Sequence, residues 1–144
     1  MAKISSYLFA LFLAATIFTL TSCDPPLCKY DQDDYVGTYT AQESCSLSPP
    51  AAYTVTILKG ATEYEVKLTN FWDTFQDAVY ATIDCETITI LKQDPDGDKY
   101  FIEGSGFLER QNGSTTITWS YTITDENVTP FVKEECQSTI YTRQ

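Results

Sequence analysis

The stretch Ser114–Thr124 reads STTITWSYTIT, and from Thr116 onward every second side chain is apolar. Ile117, Trp119, Tyr121 and Ile123 form one set; Thr116, Thr118, Ser120, Thr122 and Thr124 form the other. Only an extended backbone separates two such sets onto opposite faces, because successive strand side chains point to opposite sides. The same period returns in AAYTVTIL, where Tyr53, Val55 and Ile57 alternate, and in EYEVKL, where Tyr64, Val66 and Leu68 do. β-branched and aromatic residues are plentiful, and no long helical period competes with the alternation. The chain therefore reads as all-β, with one face of each strand turned to a core.

Eight strands are expected, at about 35–43, 52–58, 63–69, 77–84, 86–92, 99–109, 114–124 and 136–142. Gly104 and Gly106 interrupt the sixth and suggest a bulge or a sharp bend there. Residues 59–62, 84–86 and 111–114 read as tight turns, and 44–51, 70–76, 93–98 and 125–135 as longer loops. The two kinds of connection alternate along the chain. In an antiparallel up-and-down meander all the tight turns then fall at one end and all the long loops at the other.

The N-terminus has a different character. Lys3 is followed by an uncharged apolar run, Tyr7–Leu20, and by the small residues Thr21 and Ser22. That run falls short of the roughly 20 residues a membrane-spanning helix needs, so residues 1–22 read as a signal peptide and are set aside from the fold. Leu20-Thr21-Ser22-Cys23 resembles the lipobox of bacterial lipoproteins. The resemblance implies that Cys23 is acylated and becomes the first mature residue. Acyl chains contribute about 0.8 kcal/mol per buried CH₂, and two or more hold a protein stably on a bilayer. Residues 23–34 then form the acylated cysteine and a polar, proline-containing tether, leaving 35–144 as one barrel domain. The acidic residues after Cys23 also resemble the sorting signals of Bacteroidetes surface lipoproteins. The resemblance implies a lipid-anchored place in the bacterial cell envelope, on the outer membrane, with the membrane as partner.

With Cys23 lipidated, four of the five cysteines remain: Cys28, Cys45, Cys85 and Cys136. An even number in an exported chain suggests two disulfides, and four cysteines permit three pairings. The meander chooses among them. Cys28 and Cys85 fall at the tight-turn end; Cys45 and Cys136 fall at the long-loop end. A disulfide brings its Cα atoms within about 7 Å, so only Cys28–Cys85 with Cys45–Cys136 avoids bonds running from end to end. The second bridge also sets strand 8 beside strand 1 and so closes the sheet, which removes its exposed edges. One strand more or fewer would reverse this assignment.

Tyr35-Val36-Gly37-Thr38-Tyr39 resembles the glycine-x-aromatic opening of lipocalin-like barrels. That resemblance implies an eight-stranded antiparallel barrel in which an arginine of the last strand, here Arg143, covers the aromatic ring, here Tyr39.

Charge and composition narrow the function. The chain has 20 acidic and 9 basic residues, for a net charge of −11. One of the basic residues, Lys3, lies in the leader, while every acidic residue lies beyond it. Such a surface repels nucleic acid and anionic headgroups. Histidine is absent from the sequence, which removes Ser-His and Cys-His catalysis and most zinc sites. Asp125, Glu126, Glu134 and Glu135 offer carboxylate pairs of the kind that hydrolyse glycosides. In so acidic a chain such pairs arise by chance, so no residue is assigned as catalytic and no enzyme is expected.

Two stretches carry candidate binding chemistry. In NFWDTF, Phe71, Trp72 and Phe75 lie in a long-end loop, joined at the same end by Phe131. These aromatics could bind an apolar ligand, a sugar ring or a partner protein, or fold inward and plug the barrel. Asp94, Asp96 and Asp98 alternate around Pro95 and Gly97, which suggests calcium, but the spacing is not that of an EF-hand loop and Pro-Asp-Gly is an ordinary turn. The expected function is non-catalytic binding through the loops far from the membrane. A protein-interaction module comes first, a carrier of a small apolar or sugar ligand second, and a calcium-binding module third. No cofactor beyond calcium is considered. The bulk of the expected inward residues Tyr53, Tyr64, Trp119 and Tyr121 favours a filled barrel.

Overall fold

The structure, a computed structural model, describes residues 28–144. The expected signal peptide, Cys23 and the first part of the expected tether lie outside the described residues. After one helical turn, α1 (Gln32–Tyr35), the strands are β1 (Gly37–Glu43), β2 (Ala51–Lys59), β3 (Glu65–Thr69), β4 (Val79–Asp84), β5 (Thr87–Gln93), β6 (Tyr100–Gln111), β7 (Ser114–Asp125) and β8 (Val132–Arg143). Each is antiparallel to the next, and β8 pairs with β1 to close an eight-stranded barrel. The tight turns gather at one end, with α1. The long loops gather at the other. These are called below the proximal and the distal end.

The alternation decides the core. Ile117, Trp119, Tyr121 and Ile123 of β7 are all buried, as are Tyr39 and Ala41 of β1, Val55 and Ile57 of β2, and Val66 and Leu68 of β3. Tyr64 is a correction. It precedes β3 and is 63% exposed, because the β2–β3 turn runs on through residue 64. Both disulfides join the expected partners, Cys28–Cys85 at the proximal end and Cys45–Cys136 at the distal end.

Three further boundaries differ from expectation. The described part of the tether is not free. Asp31 caps α1, accepting from the Asp33 and Asp34 amides, while the Asp34 carboxylate accepts from the Asp31 amide. Gln32 donates to the carbonyls of Thr62 and Glu65, and Tyr30 is buried. Residues 28–35 are therefore part of the domain's closure. At the other end, β8 starts at Val132 rather than at residue 136, because it pairs with β7 as far as Asp125. This puts Glu134 and Glu135 in a strand, not a loop. Finally, β6 pairs with β7 in unbroken register through Gly104 and Gly106. A Cβ at Gly104 would lie 2.4 Å from Tyr121, and one at Gly106 2.8 Å from Trp119. The glycines make room for two large neighbours; the bulges fall instead on β5, after Ile90, and on β8, at Ser138.

Candidate functional site

At the proximal end, polar groups find partners. Arg143 lies over the Tyr39 ring, 5.8 Å from its centre, and donates to the carbonyls of Asp33 and Val36. Gly37 permits this approach, since a Cβ there would meet the guanidinium at 2.6 Å. The Tyr39 hydroxyl donates to the Tyr35 carbonyl (2.8 Å), and the Tyr35 hydroxyl to the Cys85 carbonyl (2.8 Å). Burial pushes the Tyr39 phenol up to about 12, against the pull of Arg143. A cleft of about 460 Å³ opens beside this closure, walled by Tyr30, Lys59, Tyr64, Asp84 and the Cys28–Cys85 bridge. Sequence reasoning did not anticipate it, because its walls come from two separate turns and the segment before β1.

The distal end is closed by the β3–β4 loop. Phe71 is completely buried, and its ring meets Tyr121 (4.9 Å between centres), Trp119 (5.8 Å) and Tyr141 (6.0 Å), two of them edge-on. Phe75 is buried as well, and Trp72 is half-buried between Phe75 and Tyr100. Phe131 stands apart from this plug and is 55% exposed, as are Leu47, Val128 and Val132 to similar degrees on the same rim. Of the four aromatics singled out in the sequence, three are therefore brought together inward and one faces solvent.

The plug loop holds an unusual backbone. Asn70, Trp72 and Asp73 have φ of 58°, 57° and 47°. Asn tolerates the left-handed region, and its side chain here donates to the Thr54 carbonyl and to Asp73. Asp73 tolerates the region as Asn does, whereas Trp72 carries a steric cost of about 1–2 kcal/mol there. Burial of the Phe71 ring contributes about 1.5–3 kcal/mol in the other direction. The loop therefore stores strain comparable to the gain from the ring it inserts.

A carboxylate lies inside the barrel beneath this rim. Glu43, at the end of β1, is buried and accepts from the hydroxyls of Tyr53 (2.9 Å) and Tyr121. Burial raises its pKa above the ordinary carboxylate value, against the Tyr53 hydrogen bond. The Tyr141 hydroxyl is buried beside that of Tyr53 and makes no well-formed hydrogen bond among the described residues, and burial holds its pKa well above that of a free phenol. Glu43 was missed in the sequence. Its position follows from parity, since Tyr39, Ala41 and Glu43 share the inward face.

The three alternate aspartates do not converge. Asp96 accepts from the amides of Gln76 and Asp77, Asp94 from those of Asp98 and Lys99, and Asp98 from that of Tyr100. Each carboxylate serves a different piece of backbone, and Asp96 ties its loop to the plug loop. The groupings of three potential metal-ligating atoms among the described residues are Cys28, Asp84 and Cys85, and Glu43, Cys45 and Cys136. Both rely on disulfide sulfurs, which are not the thiolates that bind metals. No protein-family model matches the chain, and a comparison with curated proteins gives no match.

Proposed function

We propose that the chain is a lipid-anchored protein of the bacterial cell envelope, whose lipocalin-like barrel is a non-catalytic interaction module presenting its distal rim to a protein partner. The observation that carries this reading is the contrast at that rim. The interior is filled by the chain's own rings, while Leu47, Val128, Phe131 and Val132 stay exposed around it. Scattered apolar side chains are normal on a surface, but a group of them on one rim favours contact with another protein. The packed interior speaks against a carrier with a ready-made chamber, and the dispersed aspartates speak against a calcium site. The lipocalin-like reading rests on the Arg143 cover over Tyr39.

Orientation follows if Cys23 carries the lipid. Five residues span at most about 18 Å when fully extended, so the Cys28–Cys85 bridge holds the proximal end near the bilayer and turns the distal rim away. Two experiments test the reading. Cys23→Ala should abolish labelling by a fatty-acid analogue; persistent labelling removes the anchor. A photo-crosslinking residue at position 131 should give a discrete protein adduct in cells, and one at position 112 should not. Equal adducts from both ends, or none from either, would discard the interaction module.

A further inference from the structure

We propose that Phe71 is a built-in occupant of a ligand seat, and that the β3–β4 loop is a gate which a small aromatic molecule bearing one hydrogen-bonding group can displace. The seat is different from the rim surface discussed above and does not depend on it. Three observations point to it. First, the Phe71 ring is surrounded by the edges and faces of Trp119, Tyr121 and Tyr141, the kind of pocket that receives an aromatic ring from outside. Second, the ring is supplied by a loop and not by a strand, so it can leave without breaking any strand pairing. Of the left-handed residues Asn70, Trp72 and Asp73 that bracket it, Trp72 is strained, so departure of the loop can relieve that strain. Third, the seat has polar chemistry that phenylalanine cannot use. The Tyr141 hydroxyl makes no well-formed hydrogen bond among the described residues, lying beside the Tyr53 hydroxyl, and the Glu43 carboxyl is bonded to Tyr53 and Tyr121.

A buried hydroxyl without a well-formed hydrogen bond costs the folded state the desolvation of that group. A phenol-like ring in place of Phe71 would keep the ring contacts and offer Tyr141 or Glu43 the missing hydrogen bond. The ligand class is therefore a single six-membered aromatic ring with one hydroxyl, and the gate is Asn70 to Asp77. The gate is fastened by the buried Phe75 ring, by Trp72 packed against Phe75 and Tyr100, and by a small set of hydrogen bonds. Asn70 holds the Thr54 carbonyl, and the amides of Gln76 and Asp77 hold Asp96.

The test is a titration of the full chain, and of its Phe71→Ala and Phe71→Leu variants, with p-cresol and with toluene. The chain has two tryptophans, so the indole N–H signals report separately on the seat wall (Trp119) and on the gate (Trp72). In the unmodified chain p-cresol should shift both signals, because the ring enters the seat only when the gate leaves. Phe71→Ala, which empties the seat, should bind p-cresol at least tenfold more tightly than the unmodified chain. Where p-cresol and toluene are compared in that variant, p-cresol should be favoured by about tenfold, a usual value for one well-placed hydrogen bond. If Phe71→Ala does not fold, Phe71→Leu takes its place and should show the same order of affinities. Unchanged indole signals in the unmodified chain up to the solubility limit of p-cresol would make Phe71 a permanent part of the core and overturn the gate. Equal affinity for toluene would overturn the assigned ligand class.

Discussion

Tyr35 and Phe71 each close one end of the barrel, and both are fully buried, but different forces hold them there. Tyr35 belongs to a capped helical turn, and its hydroxyl is paired with the Cys85 carbonyl. Around it Arg143 satisfies two more carbonyls and covers Tyr39. Phe71 has no polar anchor of its own. Its loop bends through three left-handed residues, and next to it lie a buried carboxylate and a phenol without a well-formed hydrogen bond. One end is shut by satisfied hydrogen bonds, the other by apolar packing under strain. Low-stability segments of a fold are the ones able to open locally. The contrast therefore marks the distal end as the movable one.

The largest effect expected concerns the staples, which should not distinguish the ends. The bridges close loops of 57 and 91 residues, and loop-closure entropy depends only weakly on length. Replacing either pair by serines should cost about 4 kcal/mol, measured by urea unfolding. A much smaller loss at the distal pair would show that the ends also differ in how far the unfolded chain is constrained. Next comes the plug. Truncating a buried phenylalanine ordinarily costs about 3–5 kcal/mol. Phe71→Ala should fall at or below the lower limit, because the strained loop relaxes when its ring is removed. A loss near the upper limit would erase the contrast.

At the proximal end, Arg143→Met keeps the stem of the side chain and removes its donors. Hydrogen bonds from a charged group contribute about 1.5–3 kcal/mol, so a loss in that range is expected in thermal unfolding. An unchanged melting temperature would mean that Arg143 does not lock the end. The smallest effect is a pH dependence at the distal end. Burial raises the Glu43 carboxyl above its ordinary value, so the folded chain keeps this proton where the unfolded chain has lost it. The contribution of this group to stability is full below the unfolded value and declines as pH rises from there through the folded value. Glu43→Gln removes that decline. Relative to the native chain, the variant should therefore gain stability as pH rises above the ordinary carboxylate range. A difference independent of pH would place Glu43 in contact with water.

Much of this was legible in the sequence. Ile117, Trp119, Tyr121 and Ile123 declared their face because a strand allows only two. The alternation of short and long connections then fixed which cysteines could meet, and a resemblance confined to five residues and one arginine anticipated the cover over Tyr39. Tyr64 misled because it continues the period of Val66 and Leu68 after the strand itself has ended. Glu43 was legible by parity, yet a carboxylate on an inward face is easily passed over in so acidic a chain.

The sequence by itself determined the strands, their inward faces and, through the alternation of short and long connections, the pairing of the cysteines. Those features repeat a local rule, the alternation of an extended backbone, so each residue carries its own evidence. Only the tertiary structure decided that Phe71 and Phe75 turn inward while Phe131 stays out, that Glu43 meets two tyrosines, and that Asp94, Asp96 and Asp98 serve separate backbones. Loops obey no period. Their side chains go wherever space and partners from distant strands allow, and that space exists only once the barrel has closed.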